Sequence, residues 1–163
     1  MSDPADPQRD YRDTIGQLAT GVTIVTTSGP DGPAGMTTSA VNSLSLDPRL
    51  LLVCFDRGSR TLAGVRSSGR FAVNVLGASD RDLAAVFASK RVAREKFESV
   101  THSEAHGVPV IDSALAWIAC ELRELLPGGD HVIGIGEVSG MGGGYRGDPL
   151  VHFRGRYTTT AGD

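Results

Sequence analysis

Gly21-Val22-Thr23-Ile24-Val25-Thr26-Thr27-Ser28-Gly29-Pro30-Asp31-Gly32-Pro33 decides the fold of this chain. The first seven residues are dominated by β-branched side chains, which suit a pleated and half-buried surface. Asp31-Gly32 is a turn signal of the kind that reverses a β-hairpin. Ala34–Leu46 then reads as one long polar strand. Asp47-Pro48 breaks it, and Leu50–Phe55 follows as a strand apolar on both faces, hence a central one. Working outward, Phe71–Leu76, Trp117–Leu126, Val132–Val138, Leu150–Phe153 and Tyr157–Thr160 also read as strands. Helical patterns are few: Asp10 to about Ala19, a short segment at Thr61–Val65, and Asp80–Ala88 with Asp80 as cap. Six or more strands without βαβ alternation predict a mainly β chain, an antiparallel barrel with one to three short helices.

Composition agrees with that pattern. The chain has 163 residues, of which 40% are hydrophobic, enough for one domain with a core. Its 21 glycines and eight prolines argue against a helix bundle. The formal charge is −3, which excludes a nucleic-acid binder driven by bulk positive charge. The longest apolar run, Leu50–Phe55, is far short of a membrane span. The N-terminus is acidic and lacks the pattern of a signal peptide, so the expectation is a cytoplasmic protein. Cys54 and Cys120 form no CxxC pair and read as reduced core thiols. Residues 1–9 are expected to be a loose tail, and 10–160 one domain.

Three segments could carry chemistry. In the expected long strand, Thr37, Ser39, Ser43 and Ser45 alternate onto one face, with Met36, Ala40 and Leu44 turned to the core. A row of hydroxyls suits a ligand rich in acceptors; a solvated outer strand gives the same pattern and is the plainer reading. A basic segment, Lys90, Arg91, Arg94 and Lys96, joins Arg57, Arg60, Arg66 and Arg70 in an acidic chain. It could hold phosphates, with Arg91 and Arg94 on one side of a helix, or be a solvated face. Gly129-Asp130-His131 sets a histidine at a strand start, where binding loops gather, although a simple turn explains it too.

Other motifs fail. Gly134–Gly140 has one residue too many for a dinucleotide fingerprint and lies within a strand. His102 and His106 lack a third ligand, so no metal site is expected. No nucleophile–base pair is present. An enzyme built from these residues would leave the chemistry to a cofactor.

Seven segments in order resemble the short-chain flavin reductase family. They are Ala19–Thr27; Gly35–Ser39 through Ser43–Pro48; Phe71–Leu76; Lys96-Phe97; Gly129-Asp130-His131; Gly136-Glu137-Val138; and Pro149–Tyr157. The resemblance covers about residues 11–160. It implies an FMN-binding split β-barrel, a homodimer with a flavin site near each interface, and a reductase that uses NADH or NADPH to reduce FMN, or FAD, for a partner monooxygenase. It further implies that Thr37, Thr38, Ser39, Asn42, Ser43 and Ser45 meet the flavin ring and ribityl chain. Arg57, Ser59 and Thr61 would meet the phosphate, Lys96 and Phe97 would lie beside the flavin, and Tyr157 near the ring. His131 would stand near the nicotinamide. A flavin-binding carrier, and a reductase of a ferric chelate or corrinoid, are the alternatives. The glycine-rich stretch 140–147 has no counterpart in these motifs; a mobile loop near the nicotinamide is its expected role.

Overall fold

The computed structural model describes residues 6–144 and 146–160. It is mainly β and antiparallel, as expected, with four short helices, one more than the sequence suggested. In chain order the first elements are α1 (Pro7–Ile15), β1 (Thr20–Gly21), β2 (Thr23–Gly29), β3 (Gly32–Thr38), β4 (Val41–Leu46) and β5 (Arg49–Asp56). Next come α2 (Arg60–Ser68), β6 (Arg70–Val75), a 3-10 turn at Ala78–Asp80, α3 (Arg81–Ala88) and α4 (Ala93–Glu98). A hairpin of β7 (His102–Ala105) and β8 (Val108–Ile111) precedes the two longest strands, β9 (Ala116–Gly128) and β10 (His131–Gly143). β11 (Leu150–Phe153) and β12 (Arg156–Thr159) end the fold. Among the described residues, no helix is long and apolar enough to cross a membrane.

The main sheet has the strand order β3-β2-β6-β9-β10-β5-β4. β3 and β4 are neighbours in sequence, joined only by Ser39-Ala40, yet they occupy opposite edges. A two-residue link spans only a few ångströms, so the sheet must curl until its edges approach. This is the closure of the split barrel; the Ala40 carbonyl, accepting from the Cys54 amide at 3.0 Å, carries the β4–β5 pairing back to the link itself.

The expected single strand 34–46 is therefore two strands, and the row of hydroxyls does not form. A bulge between Ser43 and Ser45 breaks the alternation a second time. Val41 and Ser43 stand opposite the core residues Val53 and Leu51, while Asn42 and Ser45 stand opposite Leu52 and Leu50. Met36 packs against the core as expected. Ala40 and Leu44 do not, and Leu44 is exposed.

The barrel core gathers Val25, Val53, Phe55, Phe71, Val73, Cys120 and Val132, with Leu62 and Val65 of α2 added from above. Phe55 and Phe71 meet edge to face, 6.1 Å between centroids. A second cluster joins β2, β11 and the helices through Ile24, Leu76, Phe87, Phe97 and Leu150. Each buried phenylalanine contributes about 1.5–3 kcal/mol by leaving water. On β5, Leu51, Val53 and Phe55 are buried, whereas Leu50, Leu52 and Cys54 are only half covered.

Several boundaries differ from the sequence pattern for local reasons. α1 starts at Pro7, not Asp10, because proline presets the first helical φ and the Asp6 carboxylate accepts from the Gln8 amide. Residues 1–5 of the expected tail lie outside the described residues. α4 begins at Ala93, so Arg91 precedes it and does not share a helix face with Arg94. Arg94 instead pairs with Glu98 on the surface. Gly140–Gly143 is no loop: it continues β10, paired with Ala116–Ala119 of β9.

Burial pushes the Cys120 thiol up to about 12. At pH 8 only about one such thiol in ten thousand is ionised. Iodoacetamide at pH 8 will therefore leave Cys120 unmodified until denaturant is added, as peptide mass spectrometry will show.

Candidate active site

The turn from β5 into α2 is built by two short polar side chains. Asp56 accepts from the Gly58 amide at 2.7 Å, and Ser59 caps α2 by accepting from the amides of Thr61 and Leu62. Opposite this turn runs β3, which pairs only with β2 and so presents a free edge. Gly35 lies on that strand against Phe87; a Cβ there would sit 2.8 Å from the ring. Glycine is the residue that lets strand and ring close up. Between turn and strand lies a pocket of about 600 Å³.

Four cations line it, Arg60, Lys90, Arg91 and Lys96, against one carboxylate, Asp56. Arg60 donates to the carbonyls of Lys90 and Arg91 at 3.1 and 3.2 Å, clasping the Ser89–Val92 loop to the start of α2. Lys96 is buried, and its Nζ donates to the carbonyls of Phe87 (2.9 Å) and Gly35 (3.3 Å). It thereby ties α4 to the end of α3 and to β3. Burial first, and then the Arg60 charge, lower its pKa. The Thr37 hydroxyl also lines the pocket and donates to the Ala84 carbonyl of α3 at 2.6 Å.

The residues singled out from sequence fall into three groups. Thr37, Ser59, Thr61 and Lys96 converge on the pocket. Arg57 and His131 lie just beyond it. His131 is registered opposite Asp56, and Arg57 donates through Nε to the Gly129 carbonyl at 2.7 Å. His131 Nδ1 is 2.8 Å from Asp130 Oδ1, and that contact holds the Asp130 carboxyl below its ordinary range. The others are scattered within one chain. Phe97 is buried behind the pocket, edge to face with Phe87 at 5.2 Å. Thr38 accepts from the Ala40 amide at the strand break. Ser39 lines a separate, smaller pocket with Leu18 and His152. Asn42, Ser43 and Ser45 lie on edge strand β4, and Tyr157 packs half-buried against the second cluster. Arg60, Lys90 and Arg91 had drawn notice only through their charge. Gly35 was marked only by its place in the Gly35–Ser39 motif, and Phe87 and Ser89 had no chemical signal of their own; tertiary packing brings them here.

Comparison with known proteins decides the family. The flavin reductase like domain matches residues 15–161. The chain belongs to the flavin reductase-like family. Over 161 residues it is 41% identical to a probable flavin reductase of Rhizobium meliloti; the alignment covers 94% of this chain and 49% of that protein. It is 37% identical to HsaB, the reductase subunit of a flavin-dependent monooxygenase of Mycobacterium tuberculosis, with 97% of this chain and 84% of that one covered. Among solved structures, the NADH:FAD oxidoreductase SgcE6 of Streptomyces globisporus, in complex with NAD and FAD fragments, superposes with a TM-score of 0.90. The two share 32% identity, and 99% of each chain is covered.

The pocket fits the phosphate-bearing part of such a cofactor by its donor set. Guanidinium and ammonium groups, the Thr61 hydroxyl and the start of α2 all favour an anion.

Proposed function

We propose that this protein is an NAD(P)H-dependent flavin reductase that binds FMN in the cation-lined pocket and delivers reduced flavin to a partner monooxygenase in the cytoplasm. The observation that carries this reading is the convergence of Arg60, Lys90, Arg91 and Lys96 beside the free edge of β3. Held by this pocket through Arg60 and Arg91, the flavin would supply the hydride-accepting chemistry, which no side chain here provides.

The protein's part is to bind and orient. Arg60 and Arg91 hold the phosphate, with Ser59 and Thr61 shaping the turn beneath it. Lys96 fixes the spacing of β3 and α3. Asp130 aims the imidazole of His131, which orients the nicotinamide carboxamide so that donor and acceptor rings can stack. Relatives named as reductase components of monooxygenases support the partner assignment.

An anaerobic absorbance titration tests the reading. Protein with FMN will bleach on addition of NADH or NADPH, and excess free FMN will turn over. Binding without bleaching would identify a flavin carrier instead. In the same assay His131→Ala will raise KM for NADH several-fold at unchanged flavin affinity; the opposite pattern removes His131 from the nicotinamide.

We also infer a homodimer through the outer face of β4, β5 and β10. There Leu50, Leu52, Cys54, Ile133 and Ile135 are only half covered. Asn42 and Ser45 share this face, so a second copy seated on it would bring them into the assembly. Leu52→Glu will convert the dimer to monomers in light scattering; a variant that stays dimeric places the interface elsewhere.

A further inference from the structure

The glycine-rich end of β10 borders a second pocket, which shares no lining residue with the first. Its volume is about 590 Å³. Gly143 and Gly144 have φ of +123° and +122°, a region essentially reserved for glycine, and a Cβ on Gly143 would lie 2.5 Å from the Ala116 backbone. The excess of glycine in this stretch thus has a geometric cause: the chain turns closely past β9 and leaves a cavity beside it.

The chemistry of this cavity is the reverse of the first. Among the described residues its lining holds no lysine or arginine, but it holds Glu104, Asp112 and the indole of Trp117. The Ser103 hydroxyl donates to one Asp112 oxygen at 2.7 Å and fixes that carboxylate. Neither Glu104 nor Asp112 has a cationic partner within 4 Å among the described residues. Trp117 packs against the buried residues of β8 and lies flat over Gly142, where a Cβ would come within 2.7 Å of the ring. The ring is therefore held in place. An immobilised indole, buried apolar side chains of β8 and the Asp112 carboxylate, with Glu104 at a rim shared with a third cavity, make a site for a flat ring carrying a positive charge.

We propose that this pocket is a second ligand site, selective for protonated aromatic amines. Charge repels a phosphorylated flavin from it, and the inference stands independently of the flavin assignment.

Trp117 is the only tryptophan in the chain, so its fluorescence reports on the pocket. Benzylammonium, benzyl alcohol and benzoate will be titrated against the full chain, followed by fluorescence and by calorimetry, which does not depend on the indole. Benzylammonium will bind saturably, benzyl alcohol about tenfold more weakly, and benzoate not at all. The double variant Glu104→Gln, Asp112→Asn will lose the benzylammonium response by both readouts while keeping its affinity for FMN. A response absent by both readouts, one shared by benzoate, or one that survives in the double variant overturns the proposal.

Discussion

Arg60→Ala will raise the dissociation constant for FMN about a hundredfold and leave that for riboflavin nearly unchanged. Arg60 does two things at once. Its guanidinium lies at the start of α2, where an anion is favoured, and it clasps the Lys90 and Arg91 carbonyls so that their side chains stay on the pocket wall. Charge-assisted hydrogen bonds contribute about 1.5–3 kcal/mol each, and losing one while loosening a second corresponds to about two orders of magnitude in affinity. Riboflavin lacks the phosphate and so serves as the internal control. Fluorescence quenching titrations with both ligands make the comparison. Equal losses for FMN and riboflavin would mean that Arg60 shapes the ring site, not the phosphate site.

Phe71→Ala will lower unfolding stability by about 3–5 kcal/mol, and the melting temperature by roughly 10 °C. Phe71 is fully buried at the centre of the barrel, in edge-to-face contact with Phe55. β10 accommodates the ring by placing Gly136 beneath it: a Cβ there would lie 2.5 Å from Phe71 Cζ and 2.8 Å from Cys120 Cβ. Gly136→Ala alone will therefore also destabilise, by about 1–3 kcal/mol through overpacking. In a Phe71→Leu background that cost will shrink, because the ring edge it collides with is gone. Urea denaturation of the four proteins closes the cycle; additive losses would show that ring and glycine are not coupled.

Much of the strand content is local and was therefore readable. The β-branched run of β2, the Asp31-Gly32 turn and the alternation of β9 each act over a few residues. The helices at α2 and α3 carry their own caps or apolar faces. Where neighbours far off in sequence intervened, the pattern misled. Ala34–Leu46 has the composition of one strand, and nothing in it announces that Ser39-Ala40 must cross from one sheet edge to the other. The glycines after Ser139 look like a loop, but β9 pairs with them and holds them extended.

The site divides in the same way. Its phosphate end was visible as charge along the chain, and Ser59 and Thr61 only through the family resemblance, not as the cap and first turn of α2. Lys96 was visible as one charge of the basic segment and within a family motif, but its burial between Phe87 and Gly35 was not. Arg91 and Arg94 seemed a pair through helical spacing, yet the helix begins between them.

By itself the sequence determined a mainly β, antiparallel chain with a basic segment at Lys90–Lys96 and an ordered set of segments resembling the flavin reductases. Those properties follow from short-range sterics and residue chemistry. Only the tertiary structure decided which cations share a pocket, that the row of hydroxyls is broken, and that a second pocket of opposite charge lies beside Trp117. The reason is closure: once two residues must link opposite edges of a seven-stranded sheet, curvature dictates which side chains meet, and that curvature belongs to the whole sheet.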